Sequence, residues 1–354
     1  MSSGGERELI VTVRNVSKQY QLRHGFKDRV FRRDAARLNA VNDVSFDITA
    51  GETLGVVGES GCGKSTLGRM LVGLERPTSG EIWFQGNDIC CSSERELRQF
   101  RRSLQFIFQD PFSTLNPRMR IGSILREVLL VNKLADRGSV GEAVAELLET
   151  VELPRSLARR YPSHLSGGQR QRVGIARALA VEPSLIVADE PISALDASIQ
   201  AQILNLIVGL SKTRGMTWIF IGHNLASVRQ VADRVAVMYL GRIVEIGSSS
   251  GVFSTPLHPY TQLLIDSVPS VDPGIRMPDA LALGEPPSPV NLPPGCAFAS
   301  RCRLARGLCV EEIPPLIAHE GDQMVACWAA SSPARWDASG DPNDVVRSGV
   351  RSDS

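Results

Sequence analysis

The residues with the clearest chemical purpose are consecutive: Gly58-Glu59-Ser60-Gly61-Cys62-Gly63-Lys64-Ser65-Thr66. They fit G-x-x-x-x-G-K-[ST], a loop whose backbone N–H groups converge on a phosphate. The glycines let the chain curl where a Cβ would obstruct it. Lys64 is a point charge for the β- and γ-phosphates, and the Ser65 hydroxyl is an oxygen ligand for Mg²⁺. A helix starting near Lys64 adds its positive end. Further along, Leu185-Ile186-Val187-Ala188-Asp189-Glu190 is an apolar run ending in two acids. Asp189 suits the Mg²⁺ beside Ser65, and Glu190 suits the orientation and deprotonation of an attacking water. Trp218-Ile219-Phe220-Ile221-Gly222 ends likewise, on His223, a hydrogen-bond donor for a γ-phosphate. Phe106-Ile107-Phe108-Gln109-Asp110-Pro111 reads as a buried strand that delivers Gln109 to the same crevice, where its amide can touch Mg²⁺ or its water.

A second anion-binding turn is Ser166-Gly167-Gly168-Gln169, ahead of Val173, Ile175, Ala176 and Leu179 at helical spacing. It has no lysine and cannot form a whole phosphate site, but it could complete another one. Four cysteines, Cys296, Cys302, Cys309 and Cys327, follow a proline-rich stretch with the spacing C-x₅-C-x₆-C-x₁₇-C. Four thiols suit a soft metal, either an iron–sulfur cluster or zinc. The absence of a C-x₂-C pair favours iron–sulfur. Cys62, Cys90 and Cys91 lie apart and read as incidental thiols.

These residues need elements to hold them. Leu54-Gly55-Val56-Val57 reads as the strand entering the loop, with Leu67, Met70, Leu71 and Leu74 on the helix after it. Residues 9–16 and 41–48 alternate as strands, and 81–85 form another. Tyr20, at the end of the first, is either a plain strand-end residue or a platform for an adenine ring. Helical periodicity from 121 to 153 marks an inserted helical subdomain, and Ile199, Ile203, Leu206 and Ile207 mark a later helix. Residues 234–239 and 242–247 read as a hairpin around Leu240-Gly241, and Ser248-Ser249-Ser250-Gly251 as a linker. The basic stretch 23–37 is a patch for a membrane surface or partner, or else a solvated loop.

The 354 residues allow two or three domains, with 43% hydrophobic and 22% charged residues. A net charge of +1 offers no field for nucleic acid, and none is expected as a partner. No apolar run approaches the roughly 20 residues that span a bilayer. Residues 1–10 lack a signal-peptide core. The expectation is a soluble cytosolic chain, or one held at a membrane through a partner.

In order and spacing, the phosphate loop, Gln109, Leu165-Ser166-Gly167-Gly168-Gln169, Asp189-Glu190, Asp196 and His223 resemble the nucleotide-binding domain of ABC ATPases over about residues 8–250. The resemblance implies an α/β P-loop NTPase fold: a RecA-like core, an antiparallel β subdomain and a helical subdomain at about 110–180. It implies a head-to-tail dimer in which ATP lies between one chain's loop and the other's signature, with Ser166 and Gly168 on the partner's γ-phosphate. It also assigns Tyr20 to adenine, and makes Gly58, Ser60, Gly61, Cys62, Gly63, Lys64, Ser65, Thr66, Gly167 and Gln169 nucleotide contacts.

His258-Pro259-Tyr260-Thr261, Pro294-Gly295-Cys296, Arg301-Cys302, Cys309 and Cys327 are similar to the ATP-binding subunits of bacterial oligopeptide/dipeptide importers. The insertion at 23–37 is similar to that of the second of their paired ATPase subunits. This implies a division into residues 1–250, a small Pro/Cys-rich extension at 251–330 carrying a [4Fe–4S] cluster in some members, and a disordered tail at 331–354. It further implies a heterodimer with a second ATPase subunit, in preference to a homodimer. The assembly would sit on the cytoplasmic face of the inner membrane under two permease subunits, served by an extracytoplasmic solute-binding protein. Related importers of nickel or other solutes, and soluble ABC ATPases, are the alternatives.

Overall fold

The computed structural model describes residues 8–21, 37–110, 114–267, 285–319 and 321–338. The basic stretch except Arg37, Pro111, prolines 269, 273 and 278, and tail residues 339–354 lie outside them.

Four strands, β1 (Leu9–Gln21), β2 (Arg37–Thr49), β4 (Ser79–Phe84) and β5 (Asn87–Asp88), form an antiparallel sheet in the order β2-β1-β4-β5. The main sheet contains β3 (Thr53–Val57), β6 (Leu104–Ile107), β7 (Leu185–Asp189), β8 (Thr217–Gly222), β9 (Arg234–Tyr239), β10 (Arg242–Ser248), β11 (Ile317–Ala318) and β12 (Met324–Val325). Its order is β11-β12-β10-β9-β3-β8-β7-β6, and the five strands β9-β3-β8-β7-β6 are mutually parallel.

The apolar runs are explained by two-sided burial. Alternate side chains of a strand point to opposite faces, and helices or a second sheet cover both faces. Leu54, Val56, Leu185, Val187, Ile219 and Ile221 join one core, with the phosphate-loop helix and the antiparallel sheet. Ile186, Ala188, Trp218, Phe220, Val235 and Val237 join the other, with the helical subdomain and residues Tyr260 and Phe298 of the extension. The helices Ile121–Val131, Val140–Thr150 and Gly167–Leu179 form the expected helical region, and Ala197–Arg214 ends on Gly215 in the left-handed conformation.

Several local expectations need correction. The strand expected at 106–111 starts at Leu104 and stops at Ile107, leaving Phe108 40% exposed and Gln109 in the following loop. The linker expected at 248–251 is the start of the helix Ser249–Ser254, with the Ser248 hydroxyl accepting the Gly251 N–H. The extension continues the main sheet, because β12 pairs with β10 at Glu245↔Val325 and Ile246↔Met324. The tail expected to be disordered from 331 begins with the helix Pro333–Asp337; the Arg306 guanidinium lies 3.7 Å from the Trp336 ring centre. No helix among the described residues is long and apolar enough to cross a membrane.

Candidate active site

The loop between β3 and the helix Lys64–Leu71 has little room for side chains. Gly58 has φ +153°, and a Cβ on it would lie 2.1 Å from the Met238 carbonyl oxygen. Gly63 has φ +105°, and its Cβ would lie 1.9 Å from the carbonyl oxygen of Ala40. Both positions are therefore closed to any residue with a side chain. Lys64 Nζ donates to the carbonyl oxygens of Gly58 and Glu59, both at 2.8 Å, so the loop holds its own lysine.

Parallel register brings the other groups to the same end of the sheet. Asp189 stands opposite Ile221, and Gly222 opposite Val57. The Ser65 hydroxyl donates to Asp189 Oδ1 at 2.8 Å. Burial pushes the Asp189 carboxyl above its ordinary range; the Ser65 hydrogen bond draws it part of the way back, and the neighbouring Glu190 charge adds to the rise. Glu190 itself has φ +46°, a strained conformation for a residue with a side chain, and its N–H donates to Ile221 O at 2.9 Å. Its carboxylate receives Gln109 Nε2 at 3.0 Å and lies 3.2 Å from His223 Nδ1. Ser193, which the sequence reading passed over, also sits within 3.5 Å of the Gln109 amide.

A cleft of about 440 Å³ is lined by Tyr20, Ser60, Gly61, Gly63, Lys64, Ser65, Thr66, Arg69, Gln109 and Glu190. Tyr20 is half-buried in its lining, with its hydroxyl donated to Glu75. Gly58 and Cys62 do not line the cleft. The Cys62 side chain belongs to the core, and burial raises its thiol pKa. Residues 166–169 are also outside the lining. There Ser166 caps its helix reciprocally: its hydroxyl accepts Gln169 N–H at 3.3 Å, and Gln169 Oε1 accepts Ser166 N–H at 3.1 Å. A Cβ on Gly168 would meet Ile199 at 2.4 Å, which explains the glycine by packing.

The four cysteines do meet. Cys296, Cys302, Cys309 and Cys327 line one small pocket walled by Phe298, Leu304, Pro314, Trp328 and Trp336. Burial pushes the thiols of Cys296 and Cys302 up to about 12. The expected ligand geometry is not formed, since no group of three or more His, Cys, Asp or Glu among the described residues is placed to hold a metal ion. Neutral thiols pack as small apolar groups.

Residues 41–193 match the ABC transporter family, and residues 244–309 match the C-terminal region of oligopeptide/dipeptide transporters. A probable peptide ABC transporter ATP-binding protein of Sinorhizobium fredii is 48% identical over 320 residues, 90% of each chain. The oligopeptide transport ATP-binding protein AppF of Bacillus subtilis is 45% identical over 92% of this chain and 98% of its own. The dipeptide transport ATP-binding protein DppF of Escherichia coli is 45% identical over 82% and 87%. Among solved structures, a dimeric ATP-binding cassette in a post-hydrolysis state with ADP and Pi superposes with TM-score 0.59 at 29% identity, covering 68% of this chain and 99% of its own. The cassette cbiO1 of Clostridium perfringens, part of an ABC transporter complex, gives TM-score 0.60 at 28% identity over 71% and 92%.

Proposed function

The chain belongs to the ATP-binding proteins of oligopeptide/dipeptide ABC transporters, and on that premise we propose that it hydrolyses ATP to drive peptide import through a membrane permease. The observation that carries the ATPase reading is the joint geometry of Ser65 on Asp189 and of Gln109 and His223 on Glu190, with Ser65, Gln109 and Glu190 lining the cleft and Asp189 and His223 in contact with them.

The residues divide the work. Loop amides and Lys64 bind the β- and γ-phosphates. Glu190, fixed from two sides, orients the attacking water and takes its proton. His223 stands beside it as a donor to the γ-phosphate. Ser65, Asp189 and Gln109 are hard oxygen donors of the kind Mg²⁺ prefers; Gln109, with its amide nitrogen on Glu190, keeps its carbonyl oxygen for the metal. These three residues would hold Mg²⁺, which would supply charge neutralisation on the phosphates. Because the signature 166–169 lies outside the cleft of its own chain, we assign it to the ATP of a second ATPase subunit, with a heterodimer preferred. A groove bearing exposed Leu74 and Phe108, flanked by Arg98 and Arg102, is our candidate seat for a permease helix at the cytoplasmic face of the membrane, where the subunit would be peripheral. The solute-binding protein would act on the other side.

The test is complementation of a strain lacking this subunit. The chain should restore uptake of a labelled peptide, and Lys64→Ala should not. An assembled transporter that leaves peptide uptake unrestored would refute the substrate class. Identifying what co-purifies from native membranes decides the heterodimer.

We further propose that the four pocket cysteines are ligands for a [4Fe–4S] cluster, with zinc as the alternative; the support is their shared pocket and soft-donor chemistry. Ligation would hold the sulfurs as thiolates. Anaerobically purified protein should then absorb near ~400 nm and carry iron and sulfide. A colourless protein carrying zinc would reject iron–sulfur, and one with neither metal would reject both.

A further inference from the structure

Two residues of the extension reach the phosphate loop. The Tyr260 hydroxyl oxygen accepts the backbone N–H of Glu59 at 2.8 Å. Arg301 forks onto the Glu59 carboxylate, Nη1 to Oε2 at 3.0 Å and Nη2 to Oε1 at 2.9 Å. Glu59 follows Gly58 in the loop, and its carbonyl oxygen accepts Lys64 Nζ at 2.8 Å and Cys62 N–H at 3.3 Å. Every polar group of this one residue is therefore engaged: its carbonyl oxygen by the loop, its N–H and both carboxylate oxygens by the extension.

The anchors are themselves rigid. Tyr260 is fully buried, with its ring centre 4.6 Å from that of Tyr239 and 5.4 Å from that of Phe298. The Arg301 side chain is 9% exposed, and its Nη1 also donates to the Tyr239 hydroxyl at 3.3 Å. The Glu59 side chain is 31% exposed, so the pair is sheltered on the arginine side, and its strength comes from the bidentate geometry.

We propose that Tyr260 and Arg301 are positioning residues for nucleotide binding. They hold the Glu59 peptide so that the loop keeps the curl that receives the triphosphate. Neither touches ATP; both act through Glu59. The extension is thus a working part of the nucleotide site. By linkage, bound nucleotide steadies the extension as much as the extension steadies the nucleotide.

The experiment uses the full chain and measures ATP affinity, KM and kcat. Arg301→Ala should raise Kd and KM roughly ten-fold, the size expected for a charge-assisted pair. Its kcat at saturating ATP should stay within about two-fold. A purely structural loss would instead lower the active fraction at unchanged KM. Glu59→Gln should weaken ATP in the same direction, and the double variant should be no weaker than Arg301→Ala alone. Arg301→Lys should recover part of the loss, as charge without the fork. In a Glu190→Gln background, ATP should slow amide exchange across residues 296–302, and Glu59→Gln should abolish that protection. Unchanged Kd in Glu59→Gln and Tyr260→Phe would overturn the proposal, as would additive losses in the double variant. Should Arg301→Ala not fold, Glu59→Gln and Arg301→Lys decide the question by the same two readouts.

Discussion

The nucleotide cleft and the cysteine pocket are built on opposite plans. The cleft is polar, and its geometry comes from backbone: a curled loop, then Asp189, Glu190 and His223 delivered by the register of β7 and β8 beside β3. The cysteine pocket is apolar and is closed by turns distant in sequence, its sulfurs lying where aromatic packing leaves them. In the first, residue spacing dictates position, because strands with buried faces have a strongly specified register. In the second, spacing says which atoms are available but not how far apart they stand.

Three substitutions sharpen or break that contrast. The largest effect belongs to the cleft. Glu190→Gln should lower kcat by at least about 100-fold, the typical range for removing a general base, while ATP still binds. Turnover at the wild-type rate in a phosphate-release assay would hand the base role to another group.

An intermediate effect belongs to the apolar side. His258 is buried beside the extension's aromatic residues, and burial pushes its pKa from the ordinary 6.5 down to about 3. Between those values the unfolded chain binds a proton that the folded chain refuses. Stability should therefore fall as pH drops below 6.5, by about 2 kcal/mol at pH 5. Glu245 is fully buried, and burial raises its carboxyl, so it takes up a proton earlier in the folded chain and partly offsets the loss. His258→Asn should flatten the decline in urea midpoint between pH 7 and pH 5. An equally steep decline in that variant would exclude the histidine as its source.

The smallest effect is expected at the signature. Ser166→Ala removes a helix cap and should destabilise the fold by about 1 kcal/mol. ATP affinity of the isolated chain should not change, because Ser166 is outside its cleft. A loss of affinity there would mean that the signature serves its own subunit's nucleotide.

Legibility followed the same division. The strands β3, β7 and β8 are buried at every residue, and their apolar runs announced them. The helix Glu94–Ser103 was missed, although Ser93 and Glu96 spell its capping box. The strand at 106–111 was misplaced because Phe108 is aromatic yet exposed: hydrophobicity alone does not separate a strand from the loop after it. The strands β11 and β12 have two residues each, too few for any period to register. Tyr260 and Arg301 mark a subgroup in the sequence, but nothing in their spacing points to Glu59, more than two hundred positions earlier; only folding reveals that contact.

The pairing of β12 with β10 also has a consequence for engineering. Were the chain cut after residue 250, β10 would lose its pairing at Glu245 and Ile246 and become an open edge, an invitation to strand addition by another chain. A grafted cassette would therefore need its own selvedge to remain dispersed, and the short seam at Met324 and Val325 is what this protein supplies.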